Sequence, residues 1–175
     1  MVLSPDLPRT GGPPHFDTYV HERSAALLRL AFLLTGDAHL AEDLVQASLV
    51  KVMGKWDALA ARGDPHPYVR TVVLRTALGW RRRHWNGERP SDPVPDRADA
   101  SDAAGTVVAR ERLRCALLTL PPRQRAAVVL RHYEDLSEAD VARALHCSVG
   151  TVKSQTARGL DRLRTLLDDE PRRNP

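Results

Sequence analysis

Residues Gly87 to Gly105, GERPSDPVPDRADASDAAG, constrain the fold of this chain more than any single helix does. Prolines, acids and small side chains dominate, and almost nothing large and apolar is available to bury, so the stretch reads as a flexible linker. Structure must therefore be made on either side of it. The 175 residues suffice for one ordinary domain or two small ones. Met1 to Pro14 is rich in Pro and Gly and reads as a disordered tail, and the residues after Asp168 should fray. The expected boundaries are a tail over 1–14, a domain over 15–86, the linker over 87–105, a second domain over 106–168 and a tail over 169–175.

Before the linker, apolar residues recur at steps of three and four: Phe16, Tyr19, Val20, Ala26, Leu27, Leu30, Ala31 and Leu34. Gly36 stops this helix, and Asp37 caps the next. The second helix, about Ala38–Lys55, has an inward stripe of Ala41, Leu44, Val45, Ser48 and Val52. Its other side carries His39, Asp43, Gln46 and Val50, with Glu42 at the edge. An exposed valine beside a carboxylate and an amide suits a protein-contact surface. Acids favouring the N-terminal half of a helix explain the same residues equally well. After a loop over Asp57–Pro67, a third helix spans about Tyr68–Asn86. Val69, Val72, Val73, Thr76 and Trp80 make one apolar side, and Leu74, Leu78 and Trp85 lie near the other. A helix apolar on two sides is packed between neighbours. It ends in Trp80-Arg81-Arg82-Arg83-His84-Trp85. Cations there complement the helix dipole, but three arginines between two tryptophans exceed that need. Arginine neutralises phosphate and aromatic rings stack unpaired bases, so this end is a candidate nucleic-acid contact.

After the linker, helices are expected over Thr106–Leu118, with Val107, Val108, Leu113, Ala116 and Leu117 as core, and over Arg123–Tyr133, burying Ala126, Ala127, Val129 and Leu130. Leu136–Arg164 then reads as two helices joined by a tight turn. Ser137 caps the first, whose apolar side is Ala139, Val141, Ala142 and Leu145. His146-Cys147 breaks the pattern, and Ser148 offers a second cap. The last helix has a stripe of Val149, Val152, Thr156, Leu160, Leu163 and Leu167. Opposite the stripe lie Thr151, Ser154 and Arg158, flanked by Lys153 and Gln155. Short polar donors and cations near a helix N-terminus suit entry into a DNA major groove. An ordinary solvated face would look similar; the capped helix and tight turn before it favour DNA. With no alternating strand pattern, the expected fold is all-α: two small helical domains joined by a flexible linker, the C-terminal one a helix-turn-helix.

Other chemistry finds little support. The net charge of +4 permits nucleic-acid binding without demanding it. Cys115 and Cys147 stand alone, which makes neither a disulfide framework nor a zinc site, and they read as reduced structural thiols. No histidine pair has metal spacing, and no nucleophile elbow, phosphate loop or H-E-x-x-H occurs, so no cofactor, metal or catalytic residue is expected and the chain is not read as an enzyme. Prolines stand in MVLSPDLPRTGGPPH where a signal peptide needs its apolar core, and no apolar run would cross a membrane. A cytoplasmic protein without membrane insertion is expected.

The ordered set AEDLVQ (Ala41–Gln46), PYVRTVV…WRRR (Pro67–Arg83), LPPRQRAAVVLRHYEDLSEADVA (Leu120–Ala142) and CSVGTVKSQTARGLDRLR (Cys147–Arg164) resembles the bacterial RNA polymerase sigma factors of the small extracytoplasmic-function type, SigE-like group. The resemblance runs from about Phe16 to Leu167, tails and linker apart. It implies promoter-directed transcription initiation, with core RNA polymerase (the β′ clamp coiled coil and the β flap), promoter DNA and an anti-sigma factor as partners. Asp43 and Gln46, with Glu42, His39 and Val50 on the same face, would dock on the β′ clamp. Leu59–His66 corresponds to the loop that captures a base flipped from the non-template strand. Tyr68, Arg70, Thr71, Arg75, Arg81, Arg82 and Arg83 would then contact the −10 element. Ser148, Thr151, Lys153, Ser154, Gln155 and Arg158 fall where the family's recognition helix meets the −35 element. Two positions depart from the pattern: Arg75 stands where many relatives have Asn, which suits a phosphate contact, and Gln155 replaces the arginine of the wider class, which favours adenine over guanine. The competing reading is a stand-alone helix-turn-helix regulator, which would fill Phe16–Trp85 with a sensor or dimerisation domain. A pure protein adaptor would have no use for the arginine clusters.

Overall fold

The computed structural model describes residues 15–84 and 104–168, and among these only helices and their connections occur. The first half consists of α1 (Phe16–Thr35), α2 (Ala38–Met53), α3 (Trp56–Ala60) and α4 (His66–His84). The second consists of α5 (Ala104–Thr119), α6 (Pro122–His132), α7 (Glu138–Leu145) and α8 (Val149–Asp168). The linker expected over 87–105 lies outside the described residues as far as 103, and α5 has begun by Ala104.

Local chemistry sets the helix ends. Gly36 closes α1 at φ 78°, a left-handed position, and its N–H reaches the Phe32 carbonyl. Asp37 caps α2, its carboxylate accepting from the Leu40 N–H at 2.8 Å. The stripe expected in α2 is the one buried: Ala41, Leu44, Val45, Ser48 and Val52. The region expected as a loop from Asp57 instead begins with α3. Trp56 anchors it, buried against Phe16 and Tyr19 with ring centroids 5.1 and 4.8 Å away. That aromatic cluster pulls one short turn of helix onto α1.

Helix α4 packs against α1 and α2 and also touches α6 and α7 of the second half. It is the central element that its two apolar sides imply, burying Val69, Val73, Leu74, Thr76 and Ala77. The buried apolar side chains form one continuous cluster that runs through both halves. In the second half, α8 crosses α6 so closely that Gly159 has no room for a side chain. A Cβ there would lie 2.6 Å from Val128 Cγ2.

Several core expectations need correction. Val107, Val108 and Leu113 of α5 are exposed, and its buried residues are Ala116 and Leu117, where it meets the rest of the bundle. In α7 the buried residues are Val141, Ala142 and Ala144, whereas Ala139 is exposed, because the helix is buttressed by α4 as well as by its own half. Val149 is 40% exposed at the start of α8. Cys115 is exposed, and Cys147 is half-buried against the core.

Candidate nucleic-acid interface

Three faces carry the expected contact residues. On α2, His39, Glu42, Asp43, Gln46 and Val50 are all exposed. Val50 is 68% exposed, and Met53 and Leu40 extend the apolar part of the surface at 57% and 43%. Asp37 already caps this helix, and no acid lies in its first turn. The carboxylates of Glu42 and Asp43 are therefore not needed at the N-terminus, and the partner-surface reading gains.

On α4, the expected −10 residues are only partly available. Tyr68 is 42% exposed and Arg75 is exposed. The Thr71 hydroxyl donates to the Pro67 carbonyl at 2.9 Å, one turn earlier. Arg70 is engaged: its guanidinium donates to the Glu134 carboxylate of the second half at 3.0 Å, and both side chains are 14% exposed. Beside this pair is a cleft of about 220 Å³ between Pro67, Arg70, Thr71 and Arg75 of the first half and Leu136, Asp140, Arg143 and Ala144 of the second. Arg81, Arg82 and Arg83 continue α4, and their side chains lie outside the described residues.

The N-terminus of α4 is fastened to α1. Tyr19 Oη lies 2.9 Å from His66 Nδ1, and the His66 N–H donates to the Asp64 carboxylate at 2.9 Å. Burial, then the nearby positive charges of Arg70 and Arg23, hold His66 below its ordinary value. Burial also pushes the Tyr19 hydroxyl well up. The segment between α3 and α4 thus ends on an imidazole fixed to a buried tyrosine.

The helix-turn-helix forms where expected. Ser137 accepts from the Asp140 N–H at 3.1 Å and donates to the Asp140 carboxylate at 2.5 Å, which holds that carboxyl below its usual range. His146 closes α7 in the left-handed region at φ 50°. Ser148 accepts from the Thr151 N–H at 3.1 Å, so its hydroxyl serves the start of α8. Along α8, Lys153, Ser154 and Arg158 are exposed, and Thr151 and Gln155 are half-buried. Lys153 lies 3.6 Å from Glu138 of α7, a loose surface pair, and Ser154 donates back to the Thr151 carbonyl at 3.0 Å. The outward face of the helix is thus the polar, cationic one.

Sequence reasoning missed the residues that join the halves. Arg125 of α6 is 1% exposed, and its guanidinium donates to the Leu34 carbonyl of α1 at 2.7 Å and to the Leu118 and Leu120 carbonyls at 2.7 and 3.2 Å. Its position one helical step from Val128 and Val129 on a buried stripe was the available signal. Arg114 donates to the Gly36 carbonyl at 2.9 Å, and Arg29 donates to Tyr133 Oη at 3.2 Å.

Comparison with known proteins gives a consistent result. Residues 19–87 match the family Sigma-70 region 2, and residues 110–163 match Sigma-70, region 4. The chain is 40% identical over 153 residues to the RNA polymerase sigma-E factor of Streptomyces avermitilis, covering 87% of this chain and 85% of that protein. It is 30% identical to the ECF RNA polymerase sigma factor SigM of Mycobacterium tuberculosis, over 87% of this chain and 76% of that one. Among solved structures, the sigma factor RpoE of Bartonella quintana, in complex with the anti-sigma factor NepR, shares the fold. The TM-score is 0.72 at 24% identity, covering 89% of this chain and 98% of that one.

Proposed function

The chain belongs to the sigma-70 family, among the RNA polymerase sigma factors of the extracytoplasmic-function type, and from that premise we propose which of its surfaces does what. As a sigma factor it directs promoter-specific transcription initiation rather than acting as a stand-alone regulator. The exposed face of α2 (His39, Glu42, Asp43, Gln46 and Val50) docks on core RNA polymerase. Helix α4, through Tyr68, Arg70, Thr71, Arg75, Arg81, Arg82 and Arg83, holds the −10 strand once it is opened. The start of α8, with Ser148, Thr151, Lys153, Ser154, Gln155 and Arg158, reads the −35 element as duplex. The protein works in the cytoplasm and supplies binding energy, not catalytic chemistry of its own. Extruding a base costs a few kcal/mol of stacking, which cations and aromatic side chains near α4 return. An anti-sigma factor is a further partner in this reading, as NepR is for RpoE of Bartonella quintana.

One observation carries the assignment: a helix already capped by Asp37 keeps an acid, an amide and a 68% exposed valine on a single outward face. Co-purification with core polymerase, followed by run-off transcription, tests it. Asp43→Lys with Val50→Asp should abolish core binding while leaving the far-ultraviolet circular dichroism and the melting temperature unchanged. Core binding that survives both substitutions would place docking elsewhere.

A further inference from the structure

The turn between α6 and α7 is held more firmly than a connecting loop requires. The Tyr133 and Glu134 N–H groups both donate to the Val129 carbonyl, at 2.9 and 3.1 Å, and Leu136 N–H donates to the Leu130 carbonyl at 3.0 Å. Arg131 donates to the Leu136 carbonyl, and Asp135 adopts φ 49°, a left-handed conformation that a short polar side chain tolerates. The fixed turn delivers two side chains to the other half of the protein: Tyr133 to Arg29, and Glu134 to Arg70. Next to them Leu136, Asp140 and Arg143 face Thr71 and Arg75 across the cleft.

A guanidinium fork binds a carboxylate and a phosphate through the same pair of N–H vectors. A phosphate seated on the edge of Arg70 that now meets Glu134 would have to displace that carboxylate. We propose that the Glu134 carboxylate stands in for a DNA phosphate on Arg70, so that the α6–α7 turn is an internal competitor for the strand that α4 holds. This rests on the assignment of α4 to the −10 strand and extends it to the regulation of that contact. In the closed chain, single-stranded DNA must displace the turn, and its apparent affinity falls by the fraction of molecules that are open. The competition is local: the α2 face and the outward face of α8 are exposed in the same closed arrangement.

The test uses the full-length protein and fluorescence anisotropy of a fluorescein-labelled short random-sequence single-stranded DNA at low salt. Glu134→Gln keeps the shape and removes the charge. It should bind the strand about three- to tenfold more tightly than the native chain, the scale expected when one half-buried pair is released. Tyr133→Phe added to Glu134→Gln should tighten binding further, since it frees Arg29 as well. The gain must disappear when Arg70→Gln is combined with Glu134→Gln. Equal binding by Glu134→Gln and the native chain overturns the proposal, and so does a gain that persists without Arg70, because that would be a general effect of charge. A separate arm uses holoenzyme and permanganate reactivity of thymines in the opened promoter. If Arg70→Gln opens promoters as well as the native protein does, the assignment of α4 itself is wrong. Impaired opening with no gain from Glu134→Gln refutes the internal competitor alone.

Discussion

Gly159→Ala is a sharp test of the packing argument, because two general effects predict opposite signs. In a helix interior alanine is favoured over glycine by about 0.8–1.0 kcal/mol. Against that, the new methyl would lie 2.6 Å from Val128 Cγ2, well inside van der Waals contact, and near the Gln124 carbonyl at 3.5 Å. Val128 is 5% exposed and β-branched, so it has one preferred rotamer and nowhere to swing. Helices α6 and α8 must part instead, and overpacking of this kind costs about 1–3 kcal/mol. We expect a net loss of up to about 2 kcal/mol. Urea unfolding should be followed by circular dichroism and by tryptophan fluorescence. Trp56 and Trp80 lie in α3 and α4, and Trp85 also precedes the linker in sequence, so fluorescence reports the first half while circular dichroism reports both. The loss should appear mainly in the dichroism transition. In a Val128→Ala background the clash is gone, and Gly159→Ala should become neutral or stabilising, a coupling of about 1–3 kcal/mol. A plain gain in stability from Gly159→Ala alone would refute the close crossing of α6 and α8.

Three further outcomes follow from named contacts. Asp37→Ala removes the cap on the Leu40 N–H and should cost about 1 kcal/mol, read in the fluorescence transition. His66 is held below its ordinary value of 6.5, so the unfolded chain takes up this proton before the folded one does. Its contribution is intact above pH 6.5 and is lost as pH falls below that value, so the melting temperature should drop on acidification, and less steeply in His66→Gln. Gln155→Arg should shift the −35 preference from adenine toward guanine in promoter profiling, since a bidentate amide suits adenine and a guanidinium suits guanine. An unchanged −35 sequence would remove Gln155 from base readout.

What the sequence makes legible is what one helix does alone. The buried face of α2, the caps at Asp37, Ser137 and Ser148, and the outward polar face of α8 all follow from periodicity and local hydrogen bonding. The proposed contact faces rest on family resemblance as well as on this periodicity. Less legible is how helices far apart in the chain meet. Ala144 is buried and Ala139 is not, because α4 covers one side of α7, a fact no window within α7 contains. Val107, Val108 and Leu113 have a core-like spacing yet stay exposed, since the stripe of α5 meets neighbours only near Ala116 and Leu117. Arg125 misleads most: a cation in the sequence, it is one of the most deeply buried side chains in the fold. Its two terminal nitrogens donate to main-chain carbonyls at two helix ends, which carry partial negative charge. Arg70 shows the same limit from the other side, for its charge suits DNA while its present partner is a carboxylate 64 positions along the chain.

The bonds between the halves also bound what it takes to open them. Arg125 keeps its bonds to the Leu118 and Leu120 carbonyls if the halves part, and gives up Leu34. Arg114 gives up the Gly36 carbonyl but keeps Glu111 on its own helix, a bond that holds the Glu111 carboxyl below its usual range. Arg70 gives up Glu134. Hydrogen bonds to charged groups contribute about 1.5–3 kcal/mol each, so the polar share of separation is several kcal/mol. The apolar share includes the contact of Leu118 with Gly36, where a Cβ would come within 2.3 Å of the leucine. A partner that bound only the open form would shift this balance by RT ln(1 + L/Kd), where L is its free concentration. That is about 2.7 kcal/mol at a hundredfold and about 4.1 kcal/mol at a thousandfold excess over Kd, so a tight partner would offset a large part of that resistance. A single loose contact with DNA would not. These contacts keep Arg70 occupied in the free chain, and a tightly binding protein partner is the kind of ligand that would reverse them. The α2 face, which stays exposed while Arg70 is occupied, is the proposed surface on which such a partner can start.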